Sequence, residues 1–163
     1  MKAKKRKLPD FVDLIIFDFD GVFTDNKVIL TEDGIESVVC DRRDGLGIDM
    51  LRKLNLNMLI LTTEINNVVM YRANKLKIPI EKGCENKEDF LNKYFKINKI
   101  KSKNTIYIGN DLNDLKAMRL VGFSVAPADS HNKILAEADL ILERKGGDGA
   151  VRELAELLIN HLK

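Results

Sequence analysis

The run Val12-Asp13-Leu14-Ile15-Ile16-Phe17 passes directly into Asp18-Phe19-Asp20-Gly21-Val22. That junction constrains the fold more than any other stretch of the chain. A short apolar, β-branched run of this kind reads as a buried parallel strand. The carboxylates of Asp18 and Asp20, at i and i+2 where the strand ends, point the same way and lie close together. Like charges at that spacing repel, so the pair calls for a cation between them or a proton on one of them. Gly21 lets the chain turn sharply at the carboxyl edge of the sheet, where open α/β sheets bind ligands. Taken alone, the motif reads as readily as a strand ending in a solvated acidic turn.

Further apolar runs repeat the pattern. Asn57–Leu61 ends at Thr62-Thr63-Glu64, Ile78–Ile80 is closed by Gly83, and Asn104–Ile108 ends at Gly109-Asn110-Asp111. Phe123–Val125 and Leu140–Leu142 read as shorter strands. Helical periodicity covers Asp44–Leu54, Asn66–Leu76, Asn86–Phe95, Leu112–Val121, His131–Ala138 and Ala150–Leu162. Lys27–Leu30 and Ile35–Cys40 flank the turn signal Thr31-Glu32-Asp33-Gly34, which predicts a hairpin after the first strand. Strands alternating with helices predict an α/β fold: one domain over residues 11–163, a doubly wound, mainly parallel sheet with helices on both faces.

With 163 residues, 45% of them hydrophobic, the chain can bury one ordinary core without staples. No apolar run approaches the ~18 residues of a membrane span, and the N-terminus lacks a signal-peptide apolar region. The expectation is a cytoplasmic protein without a membrane partner. Cys40 and Cys84 are too far apart for a Cys-x-x-Cys pair and read as reduced thiols, not a zinc site. The net charge is +2, but Lys2, Lys4, Lys5, Arg6 and Lys7 supply five positive charges before Leu8, leaving −3 on the body. A body of that sign is no nucleic-acid platform, and residues 1–10 read as a basic, disordered tail.

Four strand ends on one sheet edge would gather Asp18 and Asp20, then Thr62 with Thr63 beside it, then Lys87, then Asn110, Asp111 and Asp114. Singly, each has an ordinary explanation. Thr62 can cap a turn, Lys87 can be a solvated helix-start lysine, and Asp111 and Asp114 can be helix-cap acids. Together they are the set that phosphoryl transfer needs. A carboxylate attacks phosphorus, Mg²⁺ neutralises the oxygens, and a hydroxyl and an ammonium position the phosphoryl group. A response-regulator receiver domain has similar parts in a different order, with its Thr and Lys after the phospho-accepting Asp and no closing acids.

In this order the motifs resemble the haloacid dehalogenase superfamily of phosphatases. Asp18-Phe19-Asp20-Gly21-Val22 with Thr24-Asp25 resembles its first motif, Thr62 its second, Lys87 its third, and Gly109-Asn110-Asp111-Leu112-Asn113-Asp114 its fourth. The stretches Asp41–Gly47, Val121–Ser130 and Gly146–Glu153 are similar to the small branch without a cap domain. That branch includes the 3-deoxy-manno-octulosonate 8-phosphate phosphatases, the nonulosonic acid 9-phosphate phosphatases and the C-terminal module of CMP-sialic acid synthetases. The resemblance implies that Asp18 is nucleophile and metal ligand and Asp20 general acid/base, its carbonyl facing the metal. Thr62, Thr63 and Lys87 would grip the phosphoryl group, Asn110 or Asp111 would complete the Mg²⁺ site, and Asp114 would orient Lys87. Arg43, Asp44, Glu64 and Arg152 would hold a phosphorylated sugar acid.

The resemblance also implies a homotetramer in which the hairpins form a shared barrel and a neighbouring chain covers each site. Asn110 stands where the fourth motif usually has Asp, a mark shared with the synthetase modules. A weakly active oligomerisation module is therefore the alternative reading. Glu64 replaces the Arg of octulosonate phosphatases, which tilts the expected substrate to the nine-carbon acid over the eight-carbon one.

Overall fold

A computed structural model describes residues 6–162. Strand β1 (Leu14–Phe17) is buried at all its positions, as its unbroken apolar run requires. A hairpin follows, β2 (Ile29–Leu30) and β3 (Glu36–Ser37), paired antiparallel. The chain then alternates: α1 (Arg42–Lys53), β4 (Asn57–Leu61), α2 (Asn67–Leu76), β5 (Ile80–Glu81), α3 (Lys87–Asn98) and β6 (Thr105–Ile108). It ends with α4 (Leu115–Leu120), β7 (Phe123–Ala126), α5 (Asn132–Glu137), β8 (Leu140–Ile141) and α6 (Ala150–Leu162). The six strands outside the hairpin form one parallel sheet in the order β5-β4-β1-β6-β7-β8. This is the doubly wound α/β architecture expected from the sequence.

Alternation along the strands divides the core in two. Ile15, Phe17, Ile60, Ile106, Ile108 and Val125 point to one face, where Ile48 and Leu51 of α1, Val69 of α2 and Leu154 and Leu158 of α6 cover them. Leu14, Ile16, Leu59, Leu61 and Tyr107 point to the other, against Leu91 and Phe95 of α3, Leu115 and Met118 of α4 and Ile134 of α5. β1 lies at the switch point, since the chain runs outward to β4 and β5 on one side and returns to β6 on the other. Phe17 is level with Ile60 and with Ile108, so Asp18, Thr62 and Asn110 leave neighbouring strands at nearly the same height.

Local chemistry moves several predicted boundaries. The expected helix Leu112–Val121 begins as a 3-10 turn, Leu112–Asp114. The Asp114 carboxylate turns back to accept the Asn110 and Asp111 N–H groups at 2.9 and 3.3 Å, which tightens the first turn. The strand expected at Ile78–Ile80 is Ile80–Glu81, because Pro79 has no N–H and joins the ladder only by accepting from Ile60 N. The hairpin strands are shorter than their apolar patterns, and a lone bridge between Thr24 and Cys40 closes the base. Residues 1–5 of the expected basic tail lie outside the described residues, and Arg6 is fastened to Asp139 through its backbone N–H at 3.1 Å and its guanidinium at 2.9 Å.

The α1–α6 contact corrects one expectation. Asp44 is fully buried, and its Oδ1 accepts from Arg152 N at 3.0 Å in the first turn of α6. The carboxylate therefore caps a helix 108 residues away and does not face the pocket that would hold a substrate. Close approach is possible because α1 carries Gly47, where a Cβ would lie 2.8 Å from Arg152 Cα.

Candidate active site

Asp18, at 4% exposure, is where β1 leaves the core, and its Oδ1 accepts from Lys87 Nζ at 2.8 Å. Lys87 is the first residue of α3, and Asn86 before it caps that helix through Asp89 N. The ammonium also donates to Asp114 Oδ1 at 2.7 Å. It is buried against these two carboxylates; burial alone would lower its pKa, but Asp18 and then Asp114 outweigh that and raise it. Burial, and then the Asp114 charge, push the Asp18 carboxyl up to about 7 against the pull of Lys87. Without a further positive charge the Asp18 anion is under-compensated.

The other oxygen of Asp18 faces Asn110. The end of the Asn110 amide turned toward the acids lies 3.1 Å from Asp18 Oδ2 and 2.8 Å from the Asp20 carbonyl oxygen. With its nitrogen there, the amide donates both hydrogen bonds; with its oxygen there, three oxygens converge. Oxygens on adjacent corners of a Mg²⁺ octahedron lie about 2.9 Å apart, so the second orientation has the spacing of a cation cradle. Charge agrees with that fit: Asp18, Asp20 and Asp114 against Lys87 leave −2 when all are ionised, which a divalent ion neutralises. Gly21 makes the approach possible. Its φ is 79°, and a Cβ there would lie 1.8 Å from the Asn110 amide.

Asp20 is half-buried, and its Oδ1 accepts from Thr24 Oγ1 at 3.2 Å. That hydroxyl oxygen in turn accepts from Gly21 N and Asn26 N, so Thr24 ties the turn together. Burial raises the Asp20 pKa, Thr24 opposes the rise, and the charges of Glu64 and Glu36 add to it. Thr62 is buried, and its Oγ1 accepts from Glu64 N at 3.1 Å, which leaves its proton free to donate into the cleft. Thr63 stands exposed beside it. A cleft of about 340 Å³ is lined by Asp18, Asp20, Thr62, Thr63, Asn110 and Asp111. Asp111 Oδ1 accepts from Leu112 N at 2.7 Å and caps the 3-10 turn, so Asn110 is the neighbour that reaches Asp18 and the Asp20 carbonyl.

The residues expected to recognise a sugar acid are not all gathered there. Glu64 sits on the second-motif loop, with Oε1 accepting from Ile65 N and Asn66 N at 2.7 and 2.8 Å. Arg43 and Arg152 line a separate cleft of about 400 Å³ beside Gly149. Arg43 is tied to Asp41 at 2.9 Å and to Asp148, and Arg152 to Glu156 at 2.7 Å. Within one chain, both guanidiniums line that second cleft and neither lines the Asp18 cleft.

Sequence reasoning assigned no part to Tyr107, whose hydroxyl donates to Asp114 Oδ1 at 2.7 Å, nor to Glu36, whose Oε2 accepts from Asn66 Nδ2 at 3.3 Å. A phenol inside the apolar run Thr-Ile-Tyr-Ile was the available signal, since a buried Tyr hydroxyl needs a partner.

A family profile described as haloacid dehalogenase-like hydrolase matches residues 50–154. The chain is 36% identical over 151 residues to 3-deoxy-D-manno-octulosonate 8-phosphate phosphatase of Salmonella typhi, which covers 90% of this chain and 78% of that protein. A crystal structure from Streptomyces avermitilis, assigned to the haloacid dehalogenase hydrolase family, matches with a TM-score of 0.90 and 44% identity over 93% of this chain and 88% of that one. The 3-deoxy-D-manno-octulosonate 8-phosphate phosphatase of Moraxella catarrhalis, solved with a magnesium ion, a phosphate ion and a KDO molecule, matches with a TM-score of 0.88 and 33% identity. It covers 92% of this chain and 87% of that one. The chain belongs to the haloacid dehalogenase-like hydrolases and is a phosphatase related to the octulosonate 8-phosphate enzymes.

Proposed function

We propose that this phosphatase hydrolyses the phosphate monoester of a 2-keto-3-deoxy sugar acid with Mg²⁺ bound at Asp18, the Asp20 carbonyl and Asn110. The observation that carries the reading is the Asp18 carboxylate, held by Lys87 on one oxygen and facing Asn110 on the other. Bound there, the ion would offset the charge of the nucleophile and of the phosphoryl oxygens. Asp18 attacks phosphorus and forms an aspartyl phosphate while the ester oxygen leaves, taking its proton from Asp20. Water, giving its proton back to Asp20, then attacks phosphorus and releases inorganic phosphate and free Asp18. Lys87 has one ammonium proton beyond the two given to Asp18 and Asp114, and Thr62 has its free hydroxyl proton; both can hold phosphoryl oxygens.

Two chain lengths compete for the sugar acid. The Salmonella and Moraxella relatives are octulosonate 8-phosphate phosphatases, whereas Glu64, whose charge acts on Asp20, favours a nine-carbon acid, whose hydroxyl or acylamino group can donate to a carboxylate. Of the two we favour the nine-carbon 9-phosphate. The exposed apolar residues Val28, Ile29, Leu30, Ile35 and Val39 on and around the hairpin support assembly into a tetramer through that element.

Phosphate release from eight- and nine-carbon sugar acid phosphates tests the reading. Wild type is expected to need Mg²⁺, to lose activity on chelation and to favour the longer acid. Asp18→Asn is expected to lose roughly 10³-fold or more in kcat. Undiminished turnover by Asp18→Asn would overturn the mechanism, and preference for the eight-carbon acid would overturn the substrate.

A further inference from the structure

Tyr107 lies on β6 with its ring fully buried. Its strand neighbours Ile106 and Ile108 are purely apolar, and a phenylalanine would fill the same space, so packing alone does not call for the hydroxyl. That hydroxyl donates to Asp114 Oδ1 at 2.7 Å, the same oxygen that accepts from Lys87 Nζ at 2.7 Å. The Lys87 ammonium also sits 5.9 Å from the centre of the Tyr107 ring, within cation–π range. Asp114 Oδ2 is taken by the Asn110 and Asp111 N–H groups. One side chain therefore touches both members of the Lys87–Asp114 pair.

Lys87 is contested. Its ammonium lies 2.8 Å from Asp18 Oδ1 and 2.7 Å from Asp114 Oδ1, and both carboxylates are buried. A carboxylate oxygen with one donor holds that donor harder than an oxygen shared between two. By donating to Oδ1, the Tyr107 hydroxyl spreads the Asp114 charge and loosens its hold on the ammonium. It also fixes the carboxylate on which the lysine rests.

We propose that Tyr107 is a positioning residue for phosphoryl transfer: acting through Asp114, it sets how the Lys87 ammonium is shared between Asp114 and the cleft beside Asp18. The inference rests on Lys87 holding the phosphoryl group in the reaction proposed above. It assigns Tyr107 no contact with substrate.

Tyr107→Phe isolates the hydroxyl, because the ring stays under the ammonium and the core stays filled. With Mg²⁺ and p-nitrophenyl phosphate, Tyr107→Phe is expected to lower kcat about tenfold, the scale of one hydrogen bond to a charged group. KM should change far less, and the inhibition constant of orthovanadate, a mimic of the transferring phosphoryl group, should rise with the fall in kcat. In a Lys87→Ala background the same substitution should cost nothing further, because the lysine through which it acts is gone. A lowered melting temperature with unchanged kcat and vanadate inhibition would mark the phenol as structural and overturn the inference. So would a double variant in which the two losses multiply. Full activity of Lys87→Ala would remove the proposed role of Lys87 and that of Tyr107 with it. An impaired Lys87→Ala beside a fully active Tyr107→Phe would overturn Tyr107 alone.

Discussion

Asn110 sits where an aspartate would bring one more negative charge against Asp18 Oδ2 and the Asp20 carbonyl, 3.1 and 2.8 Å away. The amide can satisfy those acceptors by turning its nitrogen to them; a carboxylate cannot. Asn110→Asp is therefore expected to lower the melting temperature in chelator, and to give a larger gain when Mg²⁺ is added, with about tenfold tighter apparent binding. Thermal denaturation across a Mg²⁺ titration checks both, and an unchanged response to Mg²⁺ would move the ion away from residue 110. At this scale much was legible. Asp18, Thr62 and Asn110 stand where apolar runs stop, and strand ends on a parallel sheet lie side by side. Lys87 and Asp114 join them as one buried ion-pair group, which the spacing of motifs alone could not supply. Tyr107 was hidden because alternation along β6 assigns it to the core, which is also true. Arg43 stands apart from the Asp18 cleft, and its pairing with Asp41 and Asp148, two and 105 residues away, is visible only in the fold.

α1 and α6 show an element-scale dependence invisible to local sequence. The first turn of α6 is capped by Asp44 of α1, whose Oδ2 has no hydrogen-bond partner among the described residues. Burial pushes the Asp44 carboxyl up to about 6, against the donated Arg152 N–H. An unfolded Asp titrates near 3.9. The folded chain thus favours the protonated form, and this contribution to stability is full below pH ~3.9 and lost as pH rises to about 6. Asp44→Asn removes the titration, so its stability relative to wild type should rise between pH 4 and 7 by about 3 kcal/mol, read as a rise in relative melting temperature. A pH-independent difference would show that Asp44 ionises normally. Elements with a strong pattern were readable to the residue, as with Asn57–Leu61 and Ala150–Leu162. Elements shaped by a side chain turning back on the backbone, such as the 3-10 turn at Leu112–Asp114, were not.

For the whole molecule, the hairpin is the feature that one chain leaves unresolved. Val28, Ile29, Leu30, Ile35 and Val39 are each more than half exposed, while Glu36 between them is half-buried and accepts from Asn66 Nδ2. So much apolar surface on one element left in water marks a contact surface, and a second copy against the hairpin would cover it. If the hairpins assemble the tetramer proposed above, Ile29→Glu with Leu30→Glu is expected to give smaller species in light scattering while leaving the fold intact by circular dichroism. An unchanged mass would remove the hairpin from the interface. The central position of β1 has a different consequence, one of timing. Asp18 and Asp20 precede β6 in the chain, whereas their partners Asn110 and Asp114 follow it, and β6 also supplies one of the two flanks of β1. A nascent chain stopped before residue 105 carries the acid pair with no Asn110 facing it and no Asp114 to hold Lys87. Chain order thus sets the acid pair ahead of the groups that face it, and the cleft exists only once β6 has joined the sheet.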